Sequence, residues 1–448
     1  MTGKPLLLKP LLLPVHLERE PAEAFHVQMA HLRRLTSHLV DWAAPAHIDA
    51  AVPEGVSAVV VPDLSGLAYR MVDSFRRIRL PILIITSEFG TVSMWDWEIR
   101  DHLRRRGVRT VAPTSLQECE DVCRALATAK ALAGSTMLAY QDDLGAGMQP
   151  DIFKRFYWWE DECVRDIEQR FGVTIEHRSY KELAARAGAV EESRVVETRR
   201  RIASGVPIVG LSPCAESDAV RMYLALNDEI EETGDVIAVG VNCLNESASS
   251  TTTPCLAFDL LFEERGVMWG CEADLTSMLT ETLVHKTLQV PVMMTNLYPF
   301  LMGQAALKHE GIPYFPEVDE PENHLLVAHC GYFGEVPQSC ASEWACRPPV
   351  LAIVDDNAHA IDARLPEGPV TLVKIASDIQ TLVVTPAELT GYVQYENSDC
   401  LNGGVLRIED GARFVESIPS HHTVLASGAL TRRVELMASV LGLAVERA

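Results

Sequence analysis

The strongest constraint on this chain is a change of rhythm near residue 290. Before it, short β-branched runs alternate with helix-period stretches. VSAVVVPDLSG (56–66), LPILIITSEFG (80–90) and GVRTVAP (107–113) read as buried strands, each ending in polar or glycine residues. AYRMVDSFRRIR and WDWEIRDHLRRRG lie between them, apolar on one face and basic on the other. This β-α-β alternation belongs to open parallel sheets with helices on both faces. Such sheets bind ligands beyond the carboxyl ends of their strands.

A second unit of the same kind opens at 135–151. MLAYQ leads into a glycine-rich loop, a long helical segment IFKRFYWWEDECVRDIEQRFG, the strand GVTIEHRSY and the helical KELAARAGAVEESRVVETRRRIASG. DVIAVGVNCLNE reads as another buried strand, and CLAFDLLFEERG as a helix stopped by Gly266. VMWGCEADLTSMLTETLVHKTLQ then reads as strand, turn and helix, with Glu272 at the helix entrance. After 290, strand-like segments follow one another at short spacing: PVMMTNLYPF, HLLVAHCGYFG, PVTLVKIAS, QTLVVTPAE and GGVLRIEDG. That pattern argues for an antiparallel barrel or sandwich, closed by one amphipathic helix, ALTRRVELMASVLGLAVERA. The expectation is two doubly wound α/β domains, 1–134 and 135–290, followed by a β-rich, barrel-like domain over 291–448.

Charge narrows the function classes. Of 448 residues, 62 are acidic and 39 basic, a net charge of −23. Polyphosphate backbones and anionic membrane surfaces repel such a chain, so nucleic-acid and membrane partners are not expected. No apolar run approaches the roughly 18 residues of a membrane span. The opening MTGKPLLLKPLLLPVHLERE is interrupted by Pro5, Pro10 and Pro14 and reads as a first buried strand, not a secretion signal. The eleven cysteines are odd in number and form no CxxC pair, which fits a reduced, cytosolic protein.

No GxGxxG follows a strand and no GxxxxGK[ST] occurs, so nucleotide-phosphate cradles have no support. GLSPC (210–214) lacks the second glycine of a nucleophile elbow. Three clusters carry chemistry. The first is Trp269-Gly270-Cys271-Glu272-Ala273-Asp274, the second Asn323 to Gly331 with His329 after an apolar run, and the third Pro419-Ser420-His421-His422-Thr423. Singly, each has a plain reading: an acid complementing a helix dipole, worth up to about 1 kcal/mol, a core histidine, and exposed histidines in a turn. Together, one carboxylate and two histidines form a mixed O/N donor set that suits Mn²⁺, and less well Zn²⁺ or Fe²⁺. Such an ion polarises a sugar carbonyl while a carboxylate moves the proton.

These clusters, in this order, resemble the L-fucose isomerase and L-arabinose isomerase superfamily. DLGAGM (143–148) with the following FGVTIEHRSYKEL, GPVTLVKIASD (368–378) and PSHHTVLASG (419–428) extend the likeness over most of the chain from about residue 55. The resemblance implies a Mn²⁺-dependent aldose–ketose isomerase, an intramolecular oxidoreductase acting on a free sugar, assembled as a homo-trimer or homo-hexamer. It implies Glu272 as metal ligand and proton-transfer group, and His329 and His422 as ligands, with His421 able to replace His422. Trp269, Asp143, Met148, Asn242 and His421 are candidates for lining the sugar pocket. One departure stands out: where the family places a second metal-binding acid, this chain has Asn296, able to ligate through its carbonyl oxygen but unable to act as a base. Asp274, Glu322 and Glu335 are possible replacements, although on a continuous helix Asp274 would face away from Glu272. An isomerase of an acidic or sulfonated hexose, or a sugar-binding protein that has lost the chemistry, are the alternatives.

Overall fold

The computed structural model describes residues 9–86, 89, 96–142, 155–243, 249–350, 355–396, 398 and 401–448, apart from the side chain of His309. Its first unit is a parallel sheet of β1 (Leu11–His16), β2 (Asp41–Trp42), β3 (Ala46–His47), β4 (Val56–Val61), β5 (Ile82–Ile84) and β6 (Thr110–Val111), in the order β2-β1-β4-β5-β6 with β3 also on β1. Helices α1 (Glu23–Thr36), α2 (Val72–Arg77), α3 (Asp96–Arg105) and α4 (Leu116–Leu132) connect and follow these strands. The prolines that break the opening leucine run leave β1 intact, with Pro14 inside it. AYRMVDSFRRIR is not one helix: a 3₁₀ turn over Gly66–Arg70 precedes the short α2.

The second sheet is parallel throughout, ordered β10-β9-β7-β8, from β7 (Thr136–Tyr140), β8 (Thr174–Arg178), β9 (Val236–Val241) and β10 (Met268–Cys271). Its helices are α5 (Asp161–Phe171), α6 (Tyr180–Gly188), α7 (Glu192–Ile202), α8 (Pro213–Thr233), α9 (Cys255–Arg265) and α10 (Leu275–Leu288). The long helix expected before Gly172 is shorter than its sequence suggests, because Tyr157–Trp159 forms a 3₁₀ turn and α5 begins only at Asp161. The expected stop at Gly266 is present, with that glycine left-handed at φ 65°.

The third part is β11 (Val292–Pro299), β12 (His324–Ala328), β13 (Glu343–Arg347), β14 (Ala360–Arg364), β15 (Gly368–Ile375), β16 (Thr381–Val393), β17 (Gly403–Ile408), β18 (His422–Ser427) and β19 (Ala444–Arg447), with α11 (Gln304–Glu310), α12 (Gly411–Ser417) and α13 (Thr431–Leu441). Six strands run β15-β18-β11-β12-β17-β16, and pairing of β15 with β16 closes them into an antiparallel barrel. Closure leaves no edge among those six. β13 and β14 form a separate ribbon. The terminal segment is not a single helix: Gly442 ends α13 in a left-handed cap, and β19 adds to β16 in parallel.

Helix α10 joins the second sheet to the barrel. Twelve of its fourteen residues are buried, so it carries no polar face of the usual kind. Two of its hydroxyls are satisfied by the helix itself: Thr280 donates to the Thr276 carbonyl and Thr282 to that of Met278, both at 2.7 Å. Gly240 and Gly270 face each other in register on β9 and β10. A Cβ on Gly240 would lie 2.6 Å from Met278 Sδ, and one on Gly270 would overlap Met278 Cγ. The two glycines thus make the flat on which α10 rests, and that close approach places the start of α10 beside the barrel. Among the described residues, no helix is long and apolar enough to cross a membrane.

Candidate active site at the start of helix α10

Glu272 and Asp274 flank a left-handed turn. After β10, Glu272 and Ala273 take φ of 54° and 50°, and the Asp274 N–H returns to the Cys271 carbonyl at 3.1 Å. Two successive non-glycine residues in this region cost on the order of 1–2 kcal/mol each. The turn is held from outside: the Trp159 indole N–H donates to the Glu272 carbonyl at 2.9 Å. Asp274 then caps α10, its Oδ1 accepting from the Ser277 N–H at 2.9 Å and the Thr276 hydroxyl at 2.7 Å.

This turn corrects the helical argument made from spacing. Glu272 lies outside α10, so it and Asp274 are not set on different sides of one helix. Both reach the same imidazole: His422 Nδ1 is 3.0 Å from Asp274 Oδ2, and His422 Nε2 is 3.7 Å from Glu272 Oε2. His422 is the first residue of β18 and fully buried, whereas its neighbour His421 is exposed and packs against Phe156 and Trp158. The two histidines are therefore not interchangeable. Trp158 stacks on His422 with ring centroids 5.0 Å apart.

Asn296, on β11, lies directly across from His422 on one side and from Ala328 on the other. Directly opposed residues share a face of the sheet, with Cβ atoms about 5 Å apart. His329 follows Ala328 at the end of β12, where Cys330 and Gly331 turn back at φ 54° and 85° and the His329 N–H donates to the Tyr332 carbonyl at 3.1 Å. Its ring stands edge-on to that of His422, 6.0 Å between centroids. Three strands and the turn before α10 thus bring Glu272, Asn296, His329 and His422 together.

Burial sets the charges. The His422 and His329 rings are held neutral, pushed down to about 3 and about 4 by loss of solvent. The Glu272 carboxyl is pushed up to about 7, by burial first and the Asp274 charge second. Burial would also raise Asp274, but the Lys374 ammonium and the bond with His422 outweigh it and keep its carboxylate well below the usual range. Lys374 Nζ lies 2.9 Å from Asp274 Oδ2 and 2.6 Å from Ser277 Oγ. One turn further along α10, burial drives the Glu281 carboxyl well upward.

The other expected residues fall as follows. Asn242 is buried one residue beyond β9, level with Glu272 beyond β10 because Val241 pairs with Cys271. Trp269 is core, 1% exposed with its ring edge-on to Phe262 of α9. Asp143 and Met148 lie outside the described residues. Of the acids that might replace Asn296, Asp274 is committed to Lys374 and His422. Glu322 is exposed on a 3₁₀ turn. Glu335 is buried and accepts from the Cys271 thiol at 3.7 Å. Lys374, Trp158 and Trp159 were missed from sequence. A lone lysine inside the apolar run Val370–Ile375 was the available signal, since a buried cation needs a partner.

Among the described residues, no group of three or more His, Cys, Asp or Glu side chains is gathered tightly enough to hold a metal ion. The chemistry of the donors nonetheless fits one. His422 Nε2, Asn296 Oδ1 and both ring nitrogens of His329 are buried without a hydrogen-bond partner in the protein. Buried polar atoms are ordinarily paired, and four orphans on His422 and the two residues beside it mark a place for a ligand. No protein-family model matches this chain, and no curated protein sequence matches it significantly.

Proposed function

We propose that this protein is a metal-dependent aldose–ketose isomerase acting on a free sugar, similar to the L-fucose and L-arabinose isomerases that its motifs resemble. The observation that carries the reading is the set of unpartnered buried donors on His422, His329 and Asn296 beside Glu272. A divalent cation, Mn²⁺ for this O/N set, would be held by Glu272, His422, His329 and Asn296 and would polarise the substrate carbonyl. Glu272 is the group that moves the proton between C1 and C2. In the metal-free site burial and the Asp274 charge raise its carboxyl to about 7, so the fold itself favours proton uptake by this group. Asn296 orients a hydroxyl or carbonyl and transfers no proton. With Asp274 ion-paired and Glu335 turned to Cys271, Glu272 both removes and returns the proton. The accompanying expectations are two doubly wound units followed by the barrel, and a homo-trimer or homo-hexamer.

Among the described residues, the cation acting on Asp274 and His422 is Lys374, and it is paired with Asp274 and so not offered to an anionic substrate group, which favours a neutral sugar. Asn296 in place of an acid favours one rival, a sugar-binding protein without turnover. Mn²⁺-loaded protein screened by NMR for solvent deuterium at C1 or C2 across a sugar panel separates the two. Incorporation that Glu272→Gln lowers by about 10²–10⁴-fold supports the isomerase. Full exchange by Glu272→Gln would overturn the assignment of the base, and no metal uptake would overturn the isomerase.

A further inference from the structure

We propose that Lys374 is a positioning residue that, through Asp274, holds His422 in a single tautomer with its Nε2 lone pair turned toward Glu272. The proposal rests on the functional reading only in taking His422 as a site residue. Hydrogen-bond accounting leads to it. Asp274 Oδ1 accepts from Thr276 and Ser277 N–H, while Oδ2 accepts from the Ser277 hydroxyl at 2.8 Å and from Lys374 at 2.9 Å. A carboxylate with four donors around it is an acceptor only, so the remaining contact, to His422 Nδ1, must be an imidazole N–H donating to Oδ2. A neutral ring protonated on Nδ1 has its lone pair on Nε2, the atom that faces Glu272 and lacks a partner.

Lys374 closes this arrangement from two sides. Its side chain is 2% exposed and that of Asp274 0%, so each is the other's compensation in a place water does not reach. Its ammonium also lies 5.6 Å from the ring centre of Trp158, the indole that stacks on His422. The lysine thereby fixes the acceptor beneath Nδ1 and the aromatic plane against the ring. Removing it leaves Asp274 Oδ2 with the Ser277 hydroxyl beside the His422 Nδ1 contact, which loosens the acceptor that selects the tautomer. Partners that orient a ligating histidine are typically worth about 10–100-fold in metal affinity.

The test is a long-range ¹H–¹⁵N spectrum of histidine-labelled, metal-free protein, with the His422 signal assigned by its loss in His422→Gln, alongside Mn²⁺ titration. Wild type should show protonated Nδ1 and bare Nε2. Asp274→Asn should move the proton to Nε2, and Lys374→Met should show both tautomers and bind Mn²⁺ about 10–100-fold more weakly. If Lys374→Met keeps one Nδ1–H tautomer, the proposal is overturned. Should that variant not fold, Ser277→Ala, which removes one Lys374 contact and one Asp274 donor, must show partial tautomer mixing that Thr276→Val, which removes an Asp274 donor alone, does not, and the absence of that difference is equally fatal. A tautomer that depends on Lys374 in a protein that takes up no Mn²⁺ would sink the isomerase and leave the positioning role standing. Wild-type Mn²⁺ uptake with a tautomer indifferent to Lys374 would do the reverse.

Discussion

Asn296 and His422 stand directly opposite each other on β11 and β18, so a neutral amide shares a sheet face with the most buried histidine of the candidate site. Exchanging that amide for a carboxylate changes charge with almost no change in volume. Asn296→Asp should tighten Mn²⁺ binding about tenfold, roughly 1.4 kcal/mol. Asn296→Leu, which removes the donor oxygen, should weaken it. Electron paramagnetic resonance of free Mn²⁺ reads both, and equal affinities in all three proteins would remove Asn296 from the ligand set.

Glu272 should titrate near pH 7 in metal-free protein, followed by ¹³C-carboxyl NMR, instead of near the ordinary value of 4.5. Asp274→Asn should move the midpoint downward, since the Asp274 charge contributes to the rise. The sign for stability follows: a carboxyl raised on folding contributes fully below its unfolded value and loses that contribution as pH climbs through about 7.

The flat made by Gly240 and Gly270 should resist any side chain. Gly270→Ala forces its new methyl into Met278 and should cost about 1–3 kcal/mol in urea unfolding. Met278→Ala in that background should recover part of the loss. Recovery sets the clash apart from a loss of backbone freedom, which a change at Met278 cannot repair.

His359 predicts acid sensitivity of the joint between α9 and the β13–β14 ribbon. Pro254 supplies no side-chain cap for α9, and His359 Nε2 instead accepts from the Leu256 N–H at 2.9 Å. Its Nδ1 lies 3.2 Å from Thr252 Oγ1 and 3.3 Å from Thr253 Oγ1. Burial holds this ring neutral, down to about 3. The unfolded state takes up the proton from about pH 6.5, so stability falls as pH drops from there toward 3, by about 2 kcal/mol at pH 5 for one such ring. His359→Asn should be less stable at pH 7 and lose correspondingly less between pH 7 and 5. Denaturation midpoints at the two values check it.

What the chain alone determined is its layering. Period-two and helix-period patterns, with Gly266 as a stop, were sufficient for parallel sheets first and an antiparallel barrel after them, because those patterns are local. They failed where the physical cause was not local. YWWEDE scans as helix, yet Trp158 and Trp159 are drawn into a 3₁₀ turn against His422 and Glu272. The site divides in the same way. Glu272, His329 and His422 were legible as residue types, in motifs at recognisable spacing. That Asp274 bonds one nitrogen of His422 while Glu272 faces the other was not, because it depends on two consecutive left-handed residues that sequence gives no reason to expect. Nor was Lys374 legible as a partner of Asp274, 100 residues away in sequence. Burial decides those roles, by leaving a charge no partner but the one the fold supplies, and burial is a property of the packed structure.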